Sequence, residues 1–255
     1  MMKIRAIAIN TFREAIRDNI LYSLLFFALL MMGASVLLGT LTIGEQIKIV
    51  KDMGLAAISI FGTLIAIFVG IGLVYKEIDR KTIFNIISKP VSRHSFLVGK
   101  YLGLILTLII EVAIMSCMFL LLTFIMEHSL DISLLKAILL IFFELMVITA
   151  VAVFFSTFST PILSGMFTIG IYIIGHLTTD LKMFGAKSEY GFVQTVTKFL
   201  YYFLPNLDNF NIKGKIVHQI PVTWEYISFS IAYGIMYVSI ILLVSMVIFQ
   251  KRDFK

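Results

Sequence analysis

Long apolar runs restrict the possible folds of this chain more than any other feature of the sequence. A helix rises 1.5 Å per residue, so about 20 apolar residues cross a hydrocarbon layer of about 30 Å. None of the runs alternates apolar and polar residues as a barrel strand would. The sequence therefore predicts an all-α, polytopic membrane protein with six transmembrane helices, of which the fifth is short: Ile20–Ile43, Gly54–Tyr75, Tyr101–Met126, Leu135–Phe158, Ile162–Leu177 and Ile227–Phe249.

The composition supports one membrane domain. Of 255 residues, 60% are hydrophobic and 14% are charged, and the mean hydropathy is +1.01, whereas soluble domains carry about 25% charged residues. With four prolines and no Ser/Gly-rich linker, residues 1–255 are expected to form a single transmembrane domain. The one cysteine, Cys117, has no partner for an internal disulfide.

The basic residues are distributed unevenly between the two sets of connections. Residues 1–19, 76–100, 156–161 and 250–255 contain thirteen Lys and Arg, including all six arginines, against five acids. The opposite connections balance eight lysines with eight acids. Because positive charge accumulates on the cytoplasmic side, both termini are predicted to be cytoplasmic in the inner membrane. The net charge of +6 thus reflects membrane topology, and no nucleic acid is expected as a partner.

Two connections have helical patterns of their own. Residues 1–19 alternate basic and apolar groups at helical spacing, which is typical of an amphipathic helix in the headgroup layer; the alternative is a positive segment that only orients the first span. The connection 178–225, predicted to lie outside, contains an apolar stripe from Phe192 to Leu204 that Pro205 ends. This stripe predicts an interfacial or re-entrant helix, which either packs on its own bundle or gates substrate.

The densest charge lies in the short connection 76–93. Charged residues open it and end it, and an apolar turn lies between them, before Pro90. Topology alone requires only the positive charges, so the apolar turn favours a surface that docks a second protein, with packing on the membrane surface as the alternative. The predicted docking residues are Lys76, Glu77, Asp79, Arg80, Ile83, Phe84, Ile86, Ile87 and Arg93. Ser92 is expected to cap the next helix.

Several motifs together resemble a known family. The stretch "YKEIDRKTIFNIISKPVSRHSFLVGKYLG", followed by "FFSTFSTPILSGMFTIGIYIIG" and "FLPNLDNFN", is similar to the type-2 ABC transporter permeases over essentially the whole chain. The resemblance is closest to the branch associated with multi-copper enzyme maturation, such as the copper-processing permeases. It implies that Lys76–Arg93 is a coupling region, and that two permease copies or paralogues pair with ATP-binding cassette subunits.

The chain is not expected to be an enzyme. Lys100 and Lys215 each follow a glycine, but neither has the second glycine of a Walker A loop, so ATP and Mg²⁺ are expected on the partner subunit and no cofactor on this chain. The predicted function is the permease subunit of an ATP-driven exporter. Met115, Cys117, Met118, Met126 and His128 are soft copper ligands by type, but their spacing disfavours a compact metal site.

Two acids, Glu111 and Glu144, fall near the middle of the third and fourth runs. An ionised carboxylate at that depth costs several kcal/mol, so each is expected to face the interior of the bundle, be protonated or find a partner. The sequence places no basic residue beside either acid, and His176 is expected to be a hydrogen-bonded packing residue. The acids line the transport path or the permease seam, or make structural hydrogen bonds. A proton-coupled secondary transporter, and an intramembrane enzyme, are the alternative functions that use them.

Overall fold

A computed structural model describes residues 2–42, 45–79, 92–129 and 131–251, with side chains for all of these except residues 2 and 73–79. The predicted docking residues Arg80, Ile83, Phe84, Ile86 and Ile87 lie outside the described residues, as do the side chains of Lys76, Glu77 and Asp79. Arg93 is described and begins a helix.

The described chain is all-helical, as the sequence predicts. Ten α-helices and one 3-10 turn are present in these ranges. They are α1 Met2–Ile16, α2 Asn19–Thr40, α3 Gln46–Asp79, α4 Arg93–Glu127, α5 Ile132–Ser156, α6 Pro161–His176, α7 Thr178–Lys187, α8 Gly191–Phe203, the 3-10 turn Leu207–Phe210, α9 Lys213–Val217 and α10 Trp224–Lys251.

Five of these helices are long and apolar enough to cross a membrane, namely α2, α3, α4, α5 and α10. Helices α6 and α7 pass the same test together, with a bend of 60° between them. The bend falls at Leu177, where the fifth apolar run of the sequence ends. The count is therefore five spans, or six if the bent pair is one span. The two least buried spans are α2 and α10.

The bundle has two distinct ends. At the first, which we call the junction end, α3 ends and α4 begins. Arg93 donates hydrogen bonds to the carbonyls of Phe249 and Gln250 there, at 3.1 and 2.8 Å, so the last turn of α10 lies at the same end. At the opposite end, Lys51 of α3 contacts Glu127 of α4. The 3-10 turn and α9 pack near the same end, against α6 and α3 respectively.

Short polar residues set where the helices begin. The Ser92 side chain accepts a hydrogen bond from the Ser95 amide at 3.3 Å, so Ser92 is the N-cap of α4, as predicted. Asp18 and Asp131 cap α2 and α5 in the same way. Pro161 begins α6, where its missing N–H costs no helical hydrogen bond.

Helix α1 packs against the first turns of α4. The contact runs over Gly99 and Gly103, which lie four residues apart on one face of α4. A Cβ at Gly103 would lie 2.6 Å from the carbonyl oxygen of Ala8, and one at Gly99 would lie 2.8 Å from Ile7. Small residues at this spacing let two helices approach to backbone contact. Helix α4 thus packs against the apolar side of α1, the predicted amphipathic helix.

Helix α8 confirms the helix expected from the stripe that begins at Phe192. It forms a hairpin with α7, where Gly185 lies directly against Thr197. The apolar stripe points away from this contact, because Phe192, Phe199 and Phe203 are 81%, 61% and 65% exposed. A lid that packs only on its own bundle would bury these rings, and the described bundle does not.

Candidate functional site

Glu144 lies at the centre of α5, one of the most buried helices of the bundle. Glu144 is 0% exposed, and most of the residues around it on α5 are buried. Neither carboxylate oxygen makes a hydrogen bond within the described part of the chain. A carboxylate taken out of water needs a counter-charge or a proton, so the groups nearest to it determine its state.

His176 supplies the nearest partner of Glu144. Its Nε2 lies 3.4 Å from Oε1 of Glu144, and its Nδ1 lies 3.0 Å from the carbonyl oxygen of Tyr172. A carbonyl only accepts, so Nδ1 carries a hydrogen and donates it. Nε2 therefore faces the carboxyl of Glu144 at a distance longer than that of an ordinary hydrogen bond.

Lys213 adds a positive charge on the outer side of this pair. It begins α9, and its charge interacts with Glu144 and with Asp52 of α3. Burial lowers the pKa of Lys213 below its ordinary value, although the two carboxylates act to raise it. On the other side, the hydroxyl of Tyr172 lies near those of Ser59 and Thr63 on α3. Helices α3, α5, α6 and α9 thus contribute to one buried polar cluster around Glu144.

The expectation that no basic residue lies beside Glu144 is wrong. His176 and Lys213 are distant from Glu144 in sequence, and the end of α6 and the short helix α9 bring them towards the middle of α5. The expectation that His176 is a hydrogen-bonded packing residue agrees with its bond to the Tyr172 carbonyl but omits its contact with the acid. His176 is a polar residue near the end of an apolar run, whereas no pattern in the sequence marks Lys213.

Glu111 has different surroundings. It lies on α4, 2% exposed, and neither carboxyl oxygen has a hydrogen-bond partner among the described residues. Helices α4 and α5, which carry the two acids, pack side by side. The structure does not give Glu111 the ionisable neighbours that it gives Glu144. The two acids are therefore not equivalent.

A second buried charge lies at the opposite end of the bundle. The side chain of Lys51 is 4% exposed, and its Nζ lies 2.8 Å from Glu127 and 3.2 Å from Asp131. Burial acts to raise the pKa of Asp131, but hydrogen bonds from Ser133 and Lys51 lower it below its ordinary value. A cavity of about 460 Å³ opens beside this cluster, closed on its other side by Gln219 and Ile220.

The proposed copper ligands do not form a compact group. Met115 is buried and Cys117, two residues later, is exposed, so they occupy different faces of α4. His128 ends the helix in a left-handed conformation, with φ of 54°. In residues 2–42, 45–79, 92–129 and 131–251, no three His, Cys, Asp or Glu side chains come together as a metal site would require.

These features define a class of protein before any comparison. Long apolar helices that enclose buried polar clusters are those of a multi-pass membrane protein. The sequence model of the family described as "ABC-2 family transporter protein" matches residues 5–254. The chain therefore belongs to the ABC-2 family of transporter proteins and is a permease-type component of an ABC transporter. No match was found among curated proteins.

Proposed function

We propose that this chain is the membrane-spanning subunit of an ABC exporter, and that it docks a separate ATP-binding subunit through residues 76–93. The ATP-binding subunit would hold ATP and Mg²⁺ and hydrolyse the nucleotide. In this proposal the junction end is cytoplasmic, and residues 76–93 join the two longest helices of the bundle on the side where the ATPase binds.

The length of α3 and α4 carries this proposal. They have 34 and 35 residues and so are each about 50 Å long, whereas a hydrocarbon layer is about 30 Å thick. Near their far ends, Lys51 joins them through its ion pair with Glu127. A force on residues 76–93 would therefore reach the opposite end of the bundle through two continuous helices that are tied together.

The contacts of Arg93 support the same assignment. This residue was predicted to be part of the docking surface, and its guanidinium binds the carbonyls at the end of α10. Phe96, one turn later, stacks on Phe249 at a ring distance of 5.9 Å. The start of α4 is thus held by α1 on one side and by α10 on another. Movement of the docking segment would reach three helices at once.

A second permease copy is part of the proposal. In the single chain, α2 and α10 leave most of their surface uncovered, because only 22% and 17% of the residues in their apolar stretches are buried. Lipid covers much of such a surface in any membrane protein. A pair of permeases would cover part of it and enclose a path between the two copies. The copper-processing branch remains a resemblance only.

One observation favours the alternative of a proton-coupled transporter. Glu144 and His176 lie 3.4 Å apart inside the bundle, and acids and histidines are the residue types that proton relays use. The same pair also fits a structural role, because it joins α6 to α5. In the proposed ATP-driven exporter, Glu144 and His176 are part of the buried interior of the bundle.

The docking proposal is tested by purifying the full chain from its own membranes and measuring the ATP-binding cassette subunit that remains bound. Burial of one Ile or Phe side chain contributes about 1.5–3 kcal/mol. We therefore expect Ile87→Asp and Phe84→Ala to weaken retention of the ATPase by about tenfold or more. Single charge reversals at Glu77 or Arg80 should do less, and their effect should shrink in high salt.

Matched controls are present at the opposite end. Ile220 and Phe192 are 52% and 81% exposed there, so Ile220→Asp and Phe192→Ala should leave the ATPase bound. The melting temperature of each purified variant separates loss of docking from loss of folding. If Ile87→Asp keeps its partner at the wild-type ratio with full transport, residues 76–93 do not dock the ATPase.

A further inference from the structure

The exposed face of α1 carries a pair of arginines that have no carboxylate partner among the described residues. Arg13 and Arg17 lie one turn apart, and both are exposed. Within the described residues, neither guanidinium forms an ion pair. Together with Asn10 and Glu14 they line an open cavity of about 340 Å³.

The acid in this cavity already has a counter-charge. Oε2 of Glu14 lies 3.6 Å from Nζ of Lys100, whose residue is only 1% exposed. Lys100 belongs to the same tight contact that places α1 on Gly99 and Gly103. The α1–α4 contact thus fixes the orientation of α1 and turns the carboxylate of Glu14 towards α4. The open side of the cavity is left with two guanidinium groups and one amide.

The position of the cavity indicates what reaches it. Helix α2 begins at Asn19, directly after Arg17, and is a span with little burial. Its first turns expose Ile20, Tyr22 and Phe26, at 48%, 52% and 61%. A helix that exposes such side chains to lipid from its first turn enters the hydrocarbon there. Arg13 and Arg17, one to two turns earlier, therefore lie at the depth of lipid headgroups.

We propose that Asn10, Arg13 and Arg17 form a binding site for the phosphate of an anionic phospholipid. A guanidinium matches two phosphate oxygens at once and is more weakly hydrated than an ammonium group. Asn10 adds an amide donor from the same face of the helix. A lipid bound there would link α1, and through Gly99 and Gly103 the start of α4, to the membrane surface. This inference goes beyond the docking of an ATPase and does not depend on it.

The test uses the full chain purified in a neutral detergent and titrated with phosphatidylglycerol, phosphatidylcholine or inorganic phosphate. Bound lipid is counted by native mass spectrometry, and the melting temperature is recorded in parallel. We expect phosphatidylglycerol to bind and to raise the melting temperature, and phosphatidylcholine to do neither. Each arginine near an anionic surface is worth about a fivefold gain in affinity, so R13Q and R17Q should each weaken binding by about that factor.

The control is K187Q/K198Q, which removes two exposed lysines from α7 and α8 at the far side of the bundle. This variant should bind phosphatidylglycerol as the wild type does, and R13Q/R17Q should keep the wild-type melting temperature without lipid. Equal binding of phosphatidylglycerol to R13Q/R17Q and wild type would overturn the site. So would an equal effect of inorganic phosphate, which would make the ligand a free anion. A third outcome would also overturn the lipid site: R13Q/R17Q binds lipid as the wild type does but loses the ATP-binding subunit. The exposed face of α1 would then bind a protein.

Discussion

Glu144 and Glu111 are both buried acids, but the structure gives them opposite energetic roles. Neither carboxyl makes a hydrogen bond in the described chain, but Glu144 has His176 and Lys213 as ionisable neighbours and Glu111 has none among the described residues. Removing one residue of a buried polar cluster leaves its neighbours without a partner and lowers the stability by about 1–3 kcal/mol. Removing a buried polar side chain that has no partner instead removes the unfavourable free energy of burying that side chain. Burial alone is the same for the two residues and does not separate them.

We therefore expect Glu144→Leu to lower the stability of the purified chain by about 1–3 kcal/mol, and Glu111→Leu to leave it unchanged or raise it. Glu144→Gln should be mild, because its amide can donate to Nε2 of His176. The measurement is thermal unfolding in detergent, and Glu111→Gln is the matched control for the amide. Equal destabilisation by the two leucine variants would show that the cluster around Glu144 does not stabilise the fold.

Lys51 and Lys48 allow a similar comparison at the opposite end of the bundle. The Lys51 side chain is 4% exposed and contacts two carboxylates, whereas the Lys48 side chain is 43% exposed and, among the described residues, pairs only with Glu45. Lys51→Met should cost about 1–3 kcal/mol, since Glu127 and Asp131 lose a buried counter-charge but remain partly hydrated. Lys48→Met should change stability by less than about 1 kcal/mol. Similar melting temperatures for both variants would contradict a structural role for Lys51.

The pH dependence of the Lys51 cluster has a definite sign. The pKa of Asp131 is lowered in the folded chain, so its contribution to stability is present above its ordinary pKa of about 4. It is lost as the pH falls through the lower, folded-state value. Lys51→Met should therefore cost less stability in acid than at neutral pH. The same thermal measurement at two pH values checks this.

At the scale of helices, the sequence predicts what depends on local pattern. The apolar runs predict α2 to α5 and α10, Ser92 predicts the start of α4, and the stripe from Phe192 predicts α8. The fifth run ends at Leu177, as the pattern predicts, but the pattern does not predict that a second helix, α7, follows directly at an angle of 60°. It also does not reveal that His176 and Lys213 reach Glu144, since that contact depends on how α6 and α9 fold back on α5.

The close packing of helix α1 on helix α4 can be tested by substitution. "GKYLG" is part of the family resemblance, and its two glycines lie where α1 comes closest. A Cβ at Gly103 would meet the backbone of Ala8, which cannot rotate away as a side chain can. Gly103→Val should therefore separate α1 from α4 and cost about 1–3 kcal/mol.

Gly33→Ala is the first control for Gly103→Val, because nothing lies within 4 Å of its added Cβ. It should be neutral or slightly stabilising, since alanine is the better helix former. Protease cleavage within α1 provides a second measurement and should become faster in Gly103→Val alone. An unchanged cleavage rate in that variant would contradict the close α1–α4 contact.

At the scale of the molecule, the two ends of the bundle differ in composition and in contacts. The junction end joins α1, the start of α4 and the end of α10, and the four described arginines, Arg5, Arg13, Arg17 and Arg93, lie on α1 and at the start of α4. The opposite end holds the Lys51 cluster, α9 and the exposed aromatic face of α8. Both the start and the end of the described chain belong to the junction end. A chain that crosses the membrane an even number of times begins and ends at the same end of the bundle. With five crossings, the start and the end of the described chain would lie at opposite ends.

The last prediction concerns which end faces the cytoplasm, and it is tested by cysteine labelling. In a Cys117→Ser background no other cysteine is present, and Cys117 is exposed, so its removal should be mild. A reagent that does not cross the membrane should label Ser129→Cys and Glu189→Cys in intact cells, because both lie at the opposite end. It should label Asn85→Cys only after permeabilisation. Labelling of Asn85→Cys in intact cells would reverse the orientation, and protection of Glu189→Cys beside a labelled Ser129→Cys would mean that α6 and α7 do not complete a crossing.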